Sequence, residues 1–246
     1  MIEKIKSSLK CYNELVEKIV EQKKLSSEQK EIIFKSLEPP IDEKIIDEFE
    51  KNNNIEFPIE YKLFLTKIGN GTGKTWDDAG IGPDCGILKI TFENNQCFIM
   101  GDIEINLQIP FQYIKEYNLD NWEELADKFS NWEENYEDEF KNELSQFREP
   151  TDEEYEKFIE INGENPQNEY YKKLETNGIL PICGTGCGEY YFIVITGKSK
   201  GEIWIDYRDN WGGISPVLDA EGNRQKFDTW YYDWLIKEIE QLKKRF

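Results

Sequence analysis

The chain has 246 residues, 14% of them aromatic, and 50 acidic against 30 basic side chains, for a formal net charge of −20. That length and aromatic content fit a packed domain with accessory elements, not a disordered acidic chain, and the negative field opposes nucleic acid and anionic membrane while drawing basic partners. The chain has no histidine, which excludes His-based triads, His proton shuttles and His-zinc sites and leaves carboxylates as the main remaining route to acid–base or magnesium chemistry.

At the N-terminus, Ile2, Ile5, Leu9, Tyr12, Val16, Ile19 and Val20 recur at helical spacing. Lys and Glu interrupt this stripe too often for a signal peptide, and no segment of the chain is apolar enough to span a bilayer. Five cysteines, an odd number in a long chain, fit reduced thiols in a cytoplasmic protein. A second short helix is expected over 28–37, where Pro39 and Pro40 end it. Residues 1–40 therefore read as a helical extension that docks by its apolar stripe onto the domain C-terminal to it.

Ile41, Ile45, Ile46 and Phe49 mark the face of a third helix, closed by Asn52 to Asn54. Pro58 suits the first turn of a fourth, whose apolar face carries Tyr61, Phe64, Leu65 and Ile68. Gly69 stands where a left-handed C-cap is wanted, and Asn70-Gly71 supplies turn chemistry. Strand-like runs come next at 86–92 and 97–100, then at 179–182, 189–196 and 202–207, with 197–201 as a hairpin loop. In the last run Ile203, Ile205 and Tyr207 alternate with Glu202, Trp204 and Asp206, the pattern of a half-buried strand. The chain closes with a helix carrying Phe227, Trp230, Tyr231, Trp234, Leu235, Ile239 and Leu242.

Between the two sets of strands lies an acidic stretch. Residues 120–160 hold sixteen Asp or Glu against four Lys or Arg, a local net charge of −12. Trp122, Leu125, Phe129, Trp132, Tyr136 and Phe140 recur every three or four residues, so an amphipathic helix with its carboxylates outward is expected, within an insertion spanning about 118–165. Its outward acids Glu133, Glu134, Glu137, Asp138 and Glu139 are the preferred docking surface for a basic partner, against the plainer reading of a solvated helix face.

Glycine-rich loops offer further contacts. The segment 69–75, GNGTGKT, lacks the first glycine of a phosphate-binding loop, because Ile68 occupies that position, and the sequence around it has the wrong order of elements. Trp76, Asp77, Asp78 and Asp84 nearby, and Asp209 and Trp211 after the strand at 202–207, read as interface residues, an exposed Trp flanked by carboxylates being a good anchor. No catalytic, cofactor or metal role is assigned to any of them: the aspartates lack further ligands to complete a cage. A nucleotide or magnesium site using Lys74, Asp77 and Asp78 is the enzymatic alternative. Cys183 and Cys187 read as small buried thiols near a turn.

The runs Ile45-Ile-Asp-Glu-Phe-Glu50 and Phe57-Pro-Ile-Glu-Tyr-Lys-Leu-Phe-Leu65, followed by Asn70-Gly71, resemble the N-terminal signature of the SUKH superfamily, which includes the yeast cell-wall assembly regulator type. Leu180-Pro-Ile182, Gly186-Cys-Gly188, Gly197, Gly201 and Ile203-Trp204 look like its second signature, and Phe227 to Leu235 like its closing helix. The resemblance implies an α+β fold over 41–246, a central, mostly antiparallel sheet flanked by helices. It also implies a protein-binding function: bacterial members are commonly immunity proteins that neutralise a cognate toxin, often a nuclease, and fungal members resemble regulatory scaffolds. The helical extension and the acidic insertion are departures from the family pattern. The sequence thus leads to the expectation of a non-catalytic cytoplasmic immunity protein for a basic toxin domain, with an intracellular regulatory scaffold as the alternative.

Overall fold

The computed structural model describes residues 1–23, 36–72, 81–100, 103–141 and 148–244. In chain order the regular elements are α1 (Ile2–Lys23), α2 (Glu43–Asn53), α3 (Ile59–Lys67), β1 (Ile90–Glu93), β2 (Gln96–Ile99), β3 (Ile103–Ile105), α4 (Trp122–Phe140), α5 (Asp152–Asn162), α6 (Pro166–Lys173), β4 (Ile179–Gly186), β5 (Glu189–Val194), β6 (Ile203–Asp206), β7 (Ile214–Pro216) and α7 (Phe227–Lys244). The fold is α+β, with antiparallel sheets in the orders β1-β2-β3 and β4-β5-β6-β7 and helices packed around them. Most of the helix expected over 28–37 lies outside the described residues.

α1 to α4 and α7 form where the apolar spacing placed them, whereas the sequence reading has no separate helices at α5 and α6. α1 buries Ile5, Val16 and Ile19, packs along α7, and sends Ile5 into the principal core. In α2 the Asp42 side chain accepts from the Lys44 N–H, and Asn54, left-handed at φ 51°, ends the helix. α3 follows Pro58 but does not end on a left-handed glycine: its C-cap is Ile68 in right-handed conformation. Gly69 is required for a different reason, because a Cβ there would lie 2.7 Å from the Glu38 carbonyl oxygen. Asn70 is more than a turn residue. It is 4% exposed, its Nδ2 donates to Ile90 O at 2.7 Å, and its Oδ1 accepts from the N–H groups of Ile90 and Gly71. The amide thus stands in for a strand partner at the start of β1.

The run read as one strand over 86–92 serves two sheets. Ile87 bridges Cys183 and the Leu88 N–H donates to Ile182 O, which fastens this stretch to the edge of β4. Regular pairing with β2 begins only at Ile90, opposite Ile99. β3 and β7 are three residues each, too short to show a period of two in sequence.

β6 departs from the expected half-buried pattern, since all four of its residues are buried. Leu180, Ile182, Ile193 and Ile203 face a core shared with α1, α2, α3 and α7. Ile179, Phe192, Val194, Trp204 and Ile214 face a second core with Phe111, Leu119, Leu125, Tyr170 and Leu174. The segment before α4, with α4 and α6, covers the face that alternation had assigned to solvent. Burying Trp204 completely contributes on the order of 3 kcal/mol to that second layer.

Candidate functional site

The acidic stretch forms two helices instead of one. The Lys141 N–H still donates to Glu137 O, but Lys141 itself is extended, and a new helix starts after Pro150, where Thr151 and Glu154 form a capping box. Arg148 reinforces that start with paired hydrogen bonds to Glu154 at 2.9 and 3.0 Å. The Arg148 guanidinium, with the Thr151 N–H and hydroxyl, holds the Glu154 carboxyl down at about 2, from an ordinary 4.5.

α4 and α5 pack through a small core of their own. Trp132, Phe140 and Phe158 are buried together with Phe129, Tyr136, Tyr155 and Ile159 around them. The Trp132 indole N–H donates to Gly163 O at 3.0 Å, and Asn135 Nδ2 donates to Asn162 Oδ1 at 3.1 Å. Because the end of α5 meets the middle of α4, while Arg148 meets Phe140 at the end of α4, the two helices run antiparallel. The pair is a packed platform, not a lone solvated helix.

On this platform Glu133, Glu134, Asp138 and Glu139 are exposed, and Glu137 is half-buried with Lys141 Nζ 2.8 Å away. Glu133, Glu134 and Asp138 form no ion pair among the described residues, and Arg148 lies within electrostatic reach of Glu139. Five acids within the seven residues 133–139 of α4, with so little local compensation, set up a local negative potential. This is the part of the sequence reading that the structure brings together.

The other expected contact residues are spread out. Trp211, left-handed at φ 61°, is half-buried, with its ring 4.8 Å from that of Tyr170 and 5.7 Å from that of Phe129. Its carbonyl accepts from Asn118 Nδ2 at 2.7 Å. It joins α4 to the sheet as an internal seam and does not stand out as an anchor. Asp209 is half-buried and accepts from the Tyr171 hydroxyl, and burial pushes its carboxyl above the usual range. Asp84 is exposed at φ 43°, near Tyr191, and partial burial raises it too. Trp76, Asp77, Asp78 and Lys74 lie outside the described residues.

Asp209 borders a cleft of about 430 Å³ at the β4–β5 turn, lined also by Tyr171, Cys187, Gly188, Glu189 and Tyr190. Cys183 is buried as expected and donates to Pro83 O, but Cys187 is exposed, because the turn lifts it out of the sheet at φ 51°. Among the described residues no group of three or more His, Cys, Asp or Glu is placed to hold a metal ion, and no helix is long and apolar enough to cross a membrane.

One feature escaped sequence reasoning. Ile161 on α5 is 83% exposed, above every other large apolar side chain among the described residues. Leaving an isoleucine in water forgoes about 2 kcal/mol of burial. It lies in a groove of about 400 Å³ between α4 and α5, with Asn135, Asp138 and Glu139 on one bank and Glu154, Lys157 and Phe158 beside it on the other. The sequence signal was an aliphatic residue outside the Tyr155, Phe158, Ile159 stripe of a helix whose start had not been located. Comparison with protein-family models, with curated proteins and with solved structures finds no match to this chain.

Proposed function

We propose that this chain is a non-catalytic protein-binding module of SUKH type, an immunity protein that acts in the cytoplasm by binding and neutralising a basic toxin domain. The observation that carries the reading is the acidic face of α4, where Glu133, Glu134 and Asp138 are exposed and free of ion pairs among the described residues, on a helix fixed by its own aromatic core. A preorganised negative surface attracts a basic protein, and its rigidity limits the entropy lost on docking. The family resemblance supplies the toxin as the kind of partner, and the histidine-free composition supports binding over catalysis.

The test is to search the genes on either side for a basic toxin domain and to co-express this chain with it. The expected result is restored growth, together with one-to-one binding in titration calorimetry. Reversing Glu133, Glu134, Glu137, Asp138 and Glu139 to Lys is expected to weaken that binding at least about tenfold at low salt, with the circular dichroism spectrum unchanged. Growth that is not restored would overturn the immunity reading, and recovery of several host proteins with no single tight partner would favour the regulatory scaffold. Unchanged affinity in the reversed variant would make the acidic face a solvated surface only.

A further inference from the structure

On the two helices that bound the Ile161 groove, the lining positions follow helical spacing: Asn135, Asp138 and Glu139 on α4, and Glu154, Lys157, Phe158 and Ile161 on α5. Two antiparallel helices with such a lined furrow present the surface that a third helix fills in a three-helix packing. The charges divide unequally. Glu154 is held by Arg148 and Lys157 by Glu153 at 2.8 Å, so the α5 bank is largely neutralised. Asp138 has no ion pair among the described residues, and Glu139 only the more distant Arg148. The groove therefore combines one uncovered aliphatic side chain with a largely uncompensated acidic pair, Asp138 and Glu139, at adjacent positions of α4.

We propose that this groove docks a basic amphipathic helix of the protein partner, with Ile161 receiving an aliphatic side chain and Asp138 and Glu139 receiving Lys or Arg. The proposal rests on the reading that the chain binds a basic protein, and it names which secondary structure of that protein is held and where. A helix fits because both banks repeat at helical spacing, whereas an extended strand presents its side chains with a period of two. Charge complementarity fixes the sign, and the exposed isoleucine supplies the apolar contact around which such interfaces concentrate their affinity.

The probe is a synthetic Lys-rich peptide of about four helical turns with Leu at helical spacing along one face, compared by fluorescence anisotropy with a scrambled peptide of the same composition. The full chain is expected to bind the amphipathic peptide saturably and the scrambled one at least about tenfold more weakly. Ile161→Gln, at a side chain already in solvent, is expected to weaken binding about tenfold without lowering thermal stability. Asp138→Lys with Glu139→Lys is expected to weaken it similarly at low salt, with the difference closing as salt is raised. Equal binding of the two peptides, or wild-type affinity in Ile161→Gln, would overturn the groove. Toxin neutralised as well by Ile161→Gln as by the parent would also overturn the groove while leaving the immunity reading in place. Peptide held through Ile161 by a chain that fails to protect against the toxin would uphold the groove and end the immunity reading.

Discussion

Asp206 and Arg208 bury an ion pair at the end of β6, with 2.6 Å between Arg208 Nη2 and Asp206 Oδ2 and only 2% and 7% of the two residues exposed. Arg208 also donates to Leu174 O, Thr176 Oγ1 and the Tyr190 hydroxyl, and its guanidinium lies 4.6 Å from the Tyr171 ring centre. Burial alone would lower the Arg208 guanidinium, but hydrogen bonds and charge from Asp206, with Tyr190, more than offset it, so it stays protonated. In such a pair desolvation nearly cancels the attraction, whereas removing one partner strands a buried charge. Arg208→Ala is therefore expected to destabilise the chain by about 3–5 kcal/mol, while Asp206→Leu with Arg208→Met should be far milder. Urea denaturation of the two variants checks this, and equal losses would mean that packing and not charge carries the site. None of it was legible in sequence. Asp206-Tyr-Arg-Asp209 looks like a contact loop unless one knows that a second layer covers the outer face of β6, and Asn70 passed for a turn residue because its partner, Ile90 at the start of β1, lies twenty residues further along the chain.

At the scale of elements, α5 depends on its first turn. Glu154 accepts from the Thr151 N–H and from Arg148, and it reaches about 2 from an ordinary 4.5. A carboxyl lowered on folding stabilises the folded form in full above its ordinary value and loses that contribution as pH falls through 4.5 toward about 2. Amide hydrogen exchange in α5 should accordingly accelerate over that acid range beyond the intrinsic pH trend, and Glu154→Gln should show less of this acid dependence because it has no proton to gain. Identical profiles would place the acid sensitivity elsewhere. The sequence made most helices readable because their stripes are long: those of α1, α4 and α7 fall where their apolar spacing put them. It hid the break between α4 and α5, because a continuous acidic composition masked Pro150 and the Thr151–Glu154 capping signal. That misreading also concealed the groove, since Ile161 is conspicuous only once α5 is a separate helix lying antiparallel to α4.

Taken as a whole, the molecule carries −20, and this property needs no fold to be read. Its uneven distribution is read from the sequence too, and what the fold adds is the mounting of the acids. Residues 120–160 concentrate −12 of that charge, and α4 holds its acids on a platform joined to the sheet through Phe129, Trp211 and Tyr170. Long-range attraction acts on encounter, before any contact forms, whereas the lifetime of a complex depends on short-range packing and desolvated pairs. The two should separate in kinetics. Raising ionic strength from about 0.01 to 0.15 M shortens the Debye length from about 30 to about 8 Å. The association rate with a basic toxin domain should then fall on the order of tenfold or more, with the dissociation rate changing much less. Surface plasmon resonance across that range measures both rates. The variant reversed at Glu133, Glu134, Glu137, Asp138 and Glu139 should show a flatter dependence, because the local field it removes is the one that orients approach. Ile161→Gln should keep the parent's slope in association and lose affinity through faster dissociation. A parent association rate indifferent to salt would mean that the acidic excess does not guide the encounter.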